Sequence, residues 1–188
     1  MIYIVCLITA VGVLAIDLIT KYFAQQLNFN FVVIPELVKF KLTYNTGAAF
    51  SFLSEKSWAI TFFAVITFIA LALILGYFIF NIIKRKKVSK WLLIALSLIF
   101  AGALGNLIDR LMLGKVRDFI FVLYNTQIFP AIFNVADMAL VIGVIMTCIY
   151  LLFLDKDAVC RKPQKALVET SEDKSKMSAE GEENDDNG

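Results

Sequence analysis

The chain contains no histidine among its 188 residues. That absence excludes Ser-His-Asp and Cys-His catalysis, together with the common His-based metal sites. Cysteine is scarce too. Cys6 and Cys148 lie inside apolar runs and Cys160 just beyond one, a spacing that suits neither a disulfide framework nor a zinc site, so packing is their expected role. There is no Gly-rich phosphate loop and no internal repeat. Charged residues make up only 18% of the chain, while 60% is apolar and the mean hydropathy is +0.77. A soluble domain sits nearer half apolar, so this excess calls for a lipid environment.

The few charges are unevenly placed. Residues 165–188 hold eight acids against three lysines, a balance of −5, so the first 164 residues carry +7 of a total of +2. Such a tail has almost nothing to bury and is expected to be disordered. Residues 1–157 are read as one membrane domain and 158–188 as a cytoplasmic tail. The N-terminal apolar stretch has no basic n-region and contains Asp17 and Lys21, which favours a retained helix over a cleaved signal. Cys6 also comes too early to be a lipid-modified cysteine after a signal peptide.

Four stretches, roughly 2–23, 58–80, 91–108 and 133–154, are long enough to span about 30 Å of hydrocarbon at about 1.5 Å per residue. The second and third are joined by a basic link with Lys84, Arg85, Lys86, Lys87 and Lys90. Beside two spans this run marks the cytoplasmic side rather than a nucleic-acid site. Lys156, Arg161 and Lys162 after the fourth span agree. Both termini are then cytoplasmic, and segments 24–57 and 109–132 lie outside. Residues 38–44 alternate apolar and polar, the pattern of a half-buried strand. Residues 120–124 and 128–130 are apolar but too short to cross, and are expected to rest at headgroup level. The fold class expected is membrane all-α: four transmembrane helices with a small extracytoplasmic β-sheet platform at the outer face.

Eight acids lie outside the tail. Asp155, Asp157, Glu36 and Glu55 sit in polar surroundings, which leaves Asp17, Asp109, Asp118 and Asp137 within or at the outer end of apolar segments. A charge at mid-bilayer costs at least about 2.5–3.5 kcal/mol, less toward the interface, so each needs a reason. Asp17 and Lys21 are four apart on one helix face and suit an ion pair, either structural or in contact with headgroups or the outer segments. Asn106, Asp109 and Arg110 share the outer end of the third helix, beside Gly102 and Gly105, which permit close approach. Asp109 with Arg110 alone would serve as an interfacial anchor; Asn106, one turn deeper, points to a hydrogen-bonded cluster supporting a site. Asn134 and Asp137 share a face at the start of the fourth helix. Asp118, nineteen residues before Asp137, lies at the same depth on the same side. Two neighbouring acids in a low dielectric share a proton, so one can act as base on water while the other donates to a carbonyl oxygen. Spacing alone leaves a proton relay and a structural pair open as alternatives.

Five short motifs occur in order: Asp17-Leu-Ile-Thr-Lys21, Asn45-Thr-Gly-Ala-Ala-Phe-Ser51, Gly105-Asn-Leu-Ile-Asp-Arg110, Val116-Arg-Asp-Phe119 and Phe133-Asn-Val-Ala-Asp137. Together, over roughly residues 1–154, they resemble the lipoprotein signal peptidase (signal peptidase II) family of bacterial intramembrane aspartic proteases. The resemblance implies cleavage of diacylglyceryl-modified prolipoproteins just before the lipid-modified cysteine, in the bacterial cytoplasmic membrane, near its outer face, without a cofactor or metal. It places the catalytic pair on Asp118 and Asp137, and supporting roles on Asp17, Lys21, Asn45, Gly47, Asn106, Asp109, Arg110, Asn134 and Ala136. The implied partners are the prolipoprotein substrate and membrane lipid, with no nucleic acid, and the chain is taken as a monomer. Leu18 stands where the family commonly has Gln, and Arg117 where an apolar residue is usual. On an extended segment neighbours point to opposite faces, so Arg117 is expected to face the headgroups. The rival classes are a proton-coupled transporter, which would carry its acids at mid-bilayer depth, and a non-catalytic lipoprotein-binding membrane protein.

Overall fold

The computed structural model describes residues 1–46, 58–85, 88–123 and 131–154. Gly47, Lys86, Lys87, residues 124–130 and the acidic tail lie outside the described residues. Four helices are long and apolar enough to cross a membrane: α1 (Ile2–Gln26), α2 (Ala59–Ile83), α3 (Lys90–Leu113) and α4 (Val135–Ile149), the last continuing as a π-helical turn over Tyr150–Leu154. A small antiparallel sheet lies between them in sequence: β1 (Asn30–Ile34), β2 (Val38–Asn45), β3 (Val116–Val122) and β4 (Ala131–Phe133), in spatial order β1-β2-β3-β4. The chain divides into two compact units, Met1–Met146 and Thr147–Gly188, and the sheet and site belong to the first.

Burial in the first unit is inverted relative to a water-soluble protein. Leu7, Ile8, Phe68 and Leu73 are exposed, whereas Asp17, Lys21, Asn106, Asp109, Asp118 and Asn134 are buried. Lipid is the solvent that makes this arrangement stable, since apolar side chains lose nothing there and polar groups must be satisfied inside. α3 is the hub. Half of its apolar window is buried, against 11% for α1 and 6% for α2, and it packs along both of them. Small residues let it do so. A Cβ at Gly102 would collide with the backbone oxygen of Ala136, and one at Gly105 would lie 2.5 Å from Asp17 Oδ2.

Several boundaries differ from the sequence expectation, each for a local reason. α3 runs on past Ile108 to Leu113, where Gly114 at φ 66 supplies the left-handed cap and its N–H closes on the Arg110 carbonyl. α1 continues to Gln26. Phe133, expected inside the fourth helix, belongs to β4, because Asn134 begins α4 by capping it. β2 covers the alternating stretch as expected, and β1 pairs with it through a bulged register. β3 lies antiparallel to β2 with Thr43 opposite Asp118, next to a register shift between Phe40 and Thr43. Phe119, buried, packs edge-on against Phe29 and Phe40 and so fastens the β1–β2 hairpin to β3. Cys6 is buried as expected; Cys148 instead is exposed, and Cys160 lies outside the described residues.

Candidate active site

The site grows from the first turn of α4. Asp137 N–H donates to Asn134 Oδ1 at 2.9 Å, and Asn134 N–H donates back to Asp137 Oδ2 at 3.1 Å. This reciprocal cap satisfies two helix-terminal donors and fixes the orientation of the Asp137 carboxylate. A third donor of the same turn, the Ala136 N–H, is taken by Asp17 Oδ1 of α1 at 2.9 Å.

The Asn134 amide does a second job. Its Nδ2 donates to Asp118 Oδ1 at 2.7 Å, with the Asn106 Oδ1 at 3.1 Å and the Arg117 carbonyl at 3.3 Å as further acceptors. Asn45, paired with Val116 in the sheet, donates from Nδ2 to Asp118 Oδ2 at 3.1 Å. On the other carboxylate, Asn106 Nδ2 donates to Asp137 Oδ1 at 2.7 Å. Each carboxylate therefore accepts a neutral N–H on both oxygens, and Asn134 bonds to both Asp118 and Asp137. Burial, and after it the negative charge of Asp137, raises the Asp118 carboxyl to about 7; the Asn45 and Asn134 hydrogen bonds and the Lys21 charge pull the other way. Such a pair can hold one proton near neutral pH, accept another from water and donate to a developing oxyanion.

The cations stand one residue further back. Lys21 Nζ, fully buried, lies 2.8 Å from Asp17 Oδ2, 3.0 Å from Asn106 Oδ1 and 3.5 Å from Asp109 Oδ2. Two carboxylates and one amide oxygen thus surround the ammonium, giving the buried lysine both ion pairing and a hydrogen bond. Asp109 is held chiefly by Arg117, whose Nη2 reaches Oδ1 at 2.6 Å. This departs from the expectation that Arg117 faces the headgroups: it does point away from Asp118, but a buried acid on α3 captures it. Arg110, the sequence neighbour of Asp109, lies over the Phe63 ring at 5.9 Å, with the charges of Asp137, Asp118 and Asp109 bearing on its guanidinium. Of the residues expected at the site, Asp17, Lys21, Asn45, Asn106, Asp109, Arg110, Asn134 and Ala136 converge with Asp118 and Asp137. Gly47 is outside the described residues. Gln25, which accepts from Arg117 Nη1 at 3.0 Å, was not foreseen; no charge or spacing marks it. Among the described residues no group of three or more Cys, Asp or Glu is arranged to hold a metal ion.

Comparison with known proteins agrees over most of the chain. Residues 9–153 match the family described as signal peptidase (SPase) II. The lipoprotein signal peptidase of Pseudomonas aeruginosa strain UCBPP-PA14 is 45% identical over 140 residues, covering 71% of this chain and 79% of the relative. That of Pseudomonas fluorescens strain Pf0-1 is 46% identical over 139 residues, again 71% and 79%. A bacterial membrane enzyme solved by the in meso method at 2.3 Å superposes with a TM-score of 0.67 at 40% identity, covering 79% of this chain and 87% of that one. A second, at 1.9 Å, gives 0.66 at 36% identity, covering 82% and 94%. With four membrane-length helices, this sheet and a match running from the first helix to the last, the chain belongs to the signal peptidase II family.

Proposed function

We propose that the chain removes the signal peptide from diacylglyceryl-modified prolipoproteins, cutting before the lipid-modified cysteine, with Asp118 and Asp137 as its catalytic pair. The observation that carries this reading is the shared amide framework: Asn134 holds Asp118 and Asp137, while Asn45 and Asn106 take their remaining oxygens. Membership of the signal peptidase II family and relatives named lipoprotein signal peptidase support the substrate class.

The chemistry is hydrolysis by general acid and base. One ionised carboxylate takes a proton from water as the water oxygen bonds to the scissile carbonyl carbon. The partner carboxylic acid gives its proton to the carbonyl oxygen, forming a neutral gem-diol. The first carboxylate then returns its proton to the amide nitrogen while a gem-diol hydroxyl gives its proton back to the second, and the C–N bond breaks, leaving the signal peptide acid and the free amine of the lipidated cysteine. Asp118, held up at about 7, is the member suited to enter with the proton. The basic residues Lys84 and Arg85 after α2 and Lys90 at the start of α3 favour a cytoplasmic link, which leaves the sheet and the pair at the outer face and both termini inside. Acyl chains anchored in the bilayer would then deliver the scissile bond at headgroup depth, replacing much of the binding a deep pocket provides.

The test is turnover of a purified diacylglyceryl prolipoprotein by the parent chain, Asp118→Asn and Asp137→Asn. Each variant should lose cleavage while keeping the parent's thermal unfolding profile. Near-parent rates in either would sink the assignment.

A further inference from the structure

We infer that Arg117 is a positioning residue for Asp118, clamping the strand that carries this carboxylate to α3 and α1 at once. The inference rests on the reading of Asp118 and Asp137 as the catalytic pair.

Asp118 differs from Asp137 in what supports it. Asp137 is built into a capped helix, whereas Asp118 rides on β3, whose sheet packs beside the helices. The residue before Asp118 removes that freedom. Each nitrogen of Arg117 and its carbonyl oxygen has a bond to another part of the fold. Its backbone N–H donates to Asp109 Oδ2 at 2.9 Å, and Nε donates to the same oxygen at 3.3 Å. Nη2 reaches Asp109 Oδ1 at 2.6 Å, and Nη1 reaches Gln25 Oε1 on α1 at 3.0 Å. Its carbonyl accepts from Asn134 Nδ2 at 3.3 Å, and that amide also bonds Asp118 Oδ1. Both sides of residue 117 are thus pinned, and with them the peptide from which the Asp118 side chain projects.

The chemistry of the clamp requires a guanidinium. Asp109 is fully buried and presents two oxygens to one fork while Gln25 takes the remaining arm, so a point-charge ammonium can satisfy Asp109 but not all three contacts. The same fork holds the positive charge on Asp109 and away from Asp118. A catalytic carboxylate must be held to within about 0.5 Å of productive geometry, and a misplacement of about 1 Å can cost about a hundredfold in rate.

The experiment uses the full chain in detergent with a diacylglyceryl prolipoprotein, comparing the parent with Arg117→Gln, Arg117→Lys, Gln25→Leu and Asp118→Asn. Arg117→Gln should lower kcat by about tenfold or more with KM within about twofold, because the loss is in transition-state geometry rather than binding. Arg117→Lys should recover part of that kcat, and Gln25→Leu should lower kcat about two- to threefold without moving the unfolding temperature. Should Arg117→Gln fail to fold, the kcat and KM of the other two variants decide. Parent-like kcat in Arg117→Gln, or in both Arg117→Lys and Gln25→Leu, overturns the clamp, as does a loss that appears only in KM. Asp118→Asn separates the two readings: its inactivity beside a fully active Arg117→Gln removes the clamp alone, while its activity removes the catalytic pair.

Discussion

Oδ1 of Asp17 accepts a hydrogen bond from the backbone N–H of Ala136, 119 residues further along the chain, at 2.9 Å. The first helix therefore caps the last, and the capped turn is the one that carries Asp137. The other oxygen of Asp17 is the nearest partner of Lys21, at 2.8 Å with both side chains fully buried. Removing either partner alone leaves an uncompensated buried charge. Lys21→Met should cost about 3–5 kcal/mol of stability, whereas the Lys21→Met, Asp17→Asn double variant should lose less than the sum of the singles. Thermal unfolding in detergent of the three variants completes the cycle.

Asn134 has two separable roles, cap and amide donor to Asp118. Asn134→Asp keeps an acceptor for the Asp137 N–H but replaces the donor to Asp118 with a repelling carboxylate. Its activity should fall by about a hundredfold, and its unfolding temperature should fall too, since the retained cap does not offset a new carboxylate buried beside Asp118 and Asp137. Asn134→Ala should lose both, with about 1 kcal/mol of stability gone with the cap. Unfolding curves and turnover on the same preparations distinguish the two.

Acid–base catalysis by the pair requires one proton on it. Asp118 sits at about 7, raised first by burial and then by Asp137. That state is lost as pH rises through about 7, so the rate should fall on the alkaline side there. Because the Asn45 hydrogen bond lowers the Asp118 value, Asn45→Ala should move the alkaline limb to higher pH. A pH–rate profile of the two proteins checks the direction; a limb that moves down, or does not move, refutes the role of Asn45.

Gly105 faces Asp17 so closely that an added Cβ would lie 2.5 Å from Oδ2 of this fully buried side chain. Gly105→Ala should therefore destabilise the protein by about 1–3 kcal/mol and lower activity through displacement of Asp17. Gly12→Ala, with nothing within 4 Å of the new methyl group, should leave both unchanged. The contrast in unfolding temperature is the measurement.

Much of this was legible from residue spacing, because regular helices place side chains by arithmetic. Asp17 and Lys21 at i, i+4 pair as helical geometry requires, and Asn134 and Asp137 at i, i+3 meet as a cap. The helices themselves announce their presence through apolar runs that have no other use. What spacing could not reveal is where a strand delivers its side chains after a turn. Asp109 and Arg110 are adjacent, yet the helix sends them to different neighbours. The partner of Asp109 comes from Arg117, beyond the Gly114 reversal. Likewise β1 and β4 are short and carry no period long enough to read, and Phe133 looks helical until Asn134 is seen to begin the helix.

The link from Asp17 to Ala136 also governs when the protein can become an enzyme during its own synthesis. At about 5–20 residues per second, a ribosome needs about 6–24 s to make the 119 residues separating them. Throughout that interval Asp17 and Lys21 can neutralise one another within a single inserted helix. The first turn of α4, capped locally by Asn134 and Asp137, still has no acceptor for its Ala136 N–H until α1 meets it. A nascent chain halted before its fourth span thus lacks Asp137 altogether. On the proposed reading of Asp118 and Asp137 as the catalytic pair, proteolytic competence arrives only when the first and last membrane segments have found each other, so an unfinished chain is not expected to cut.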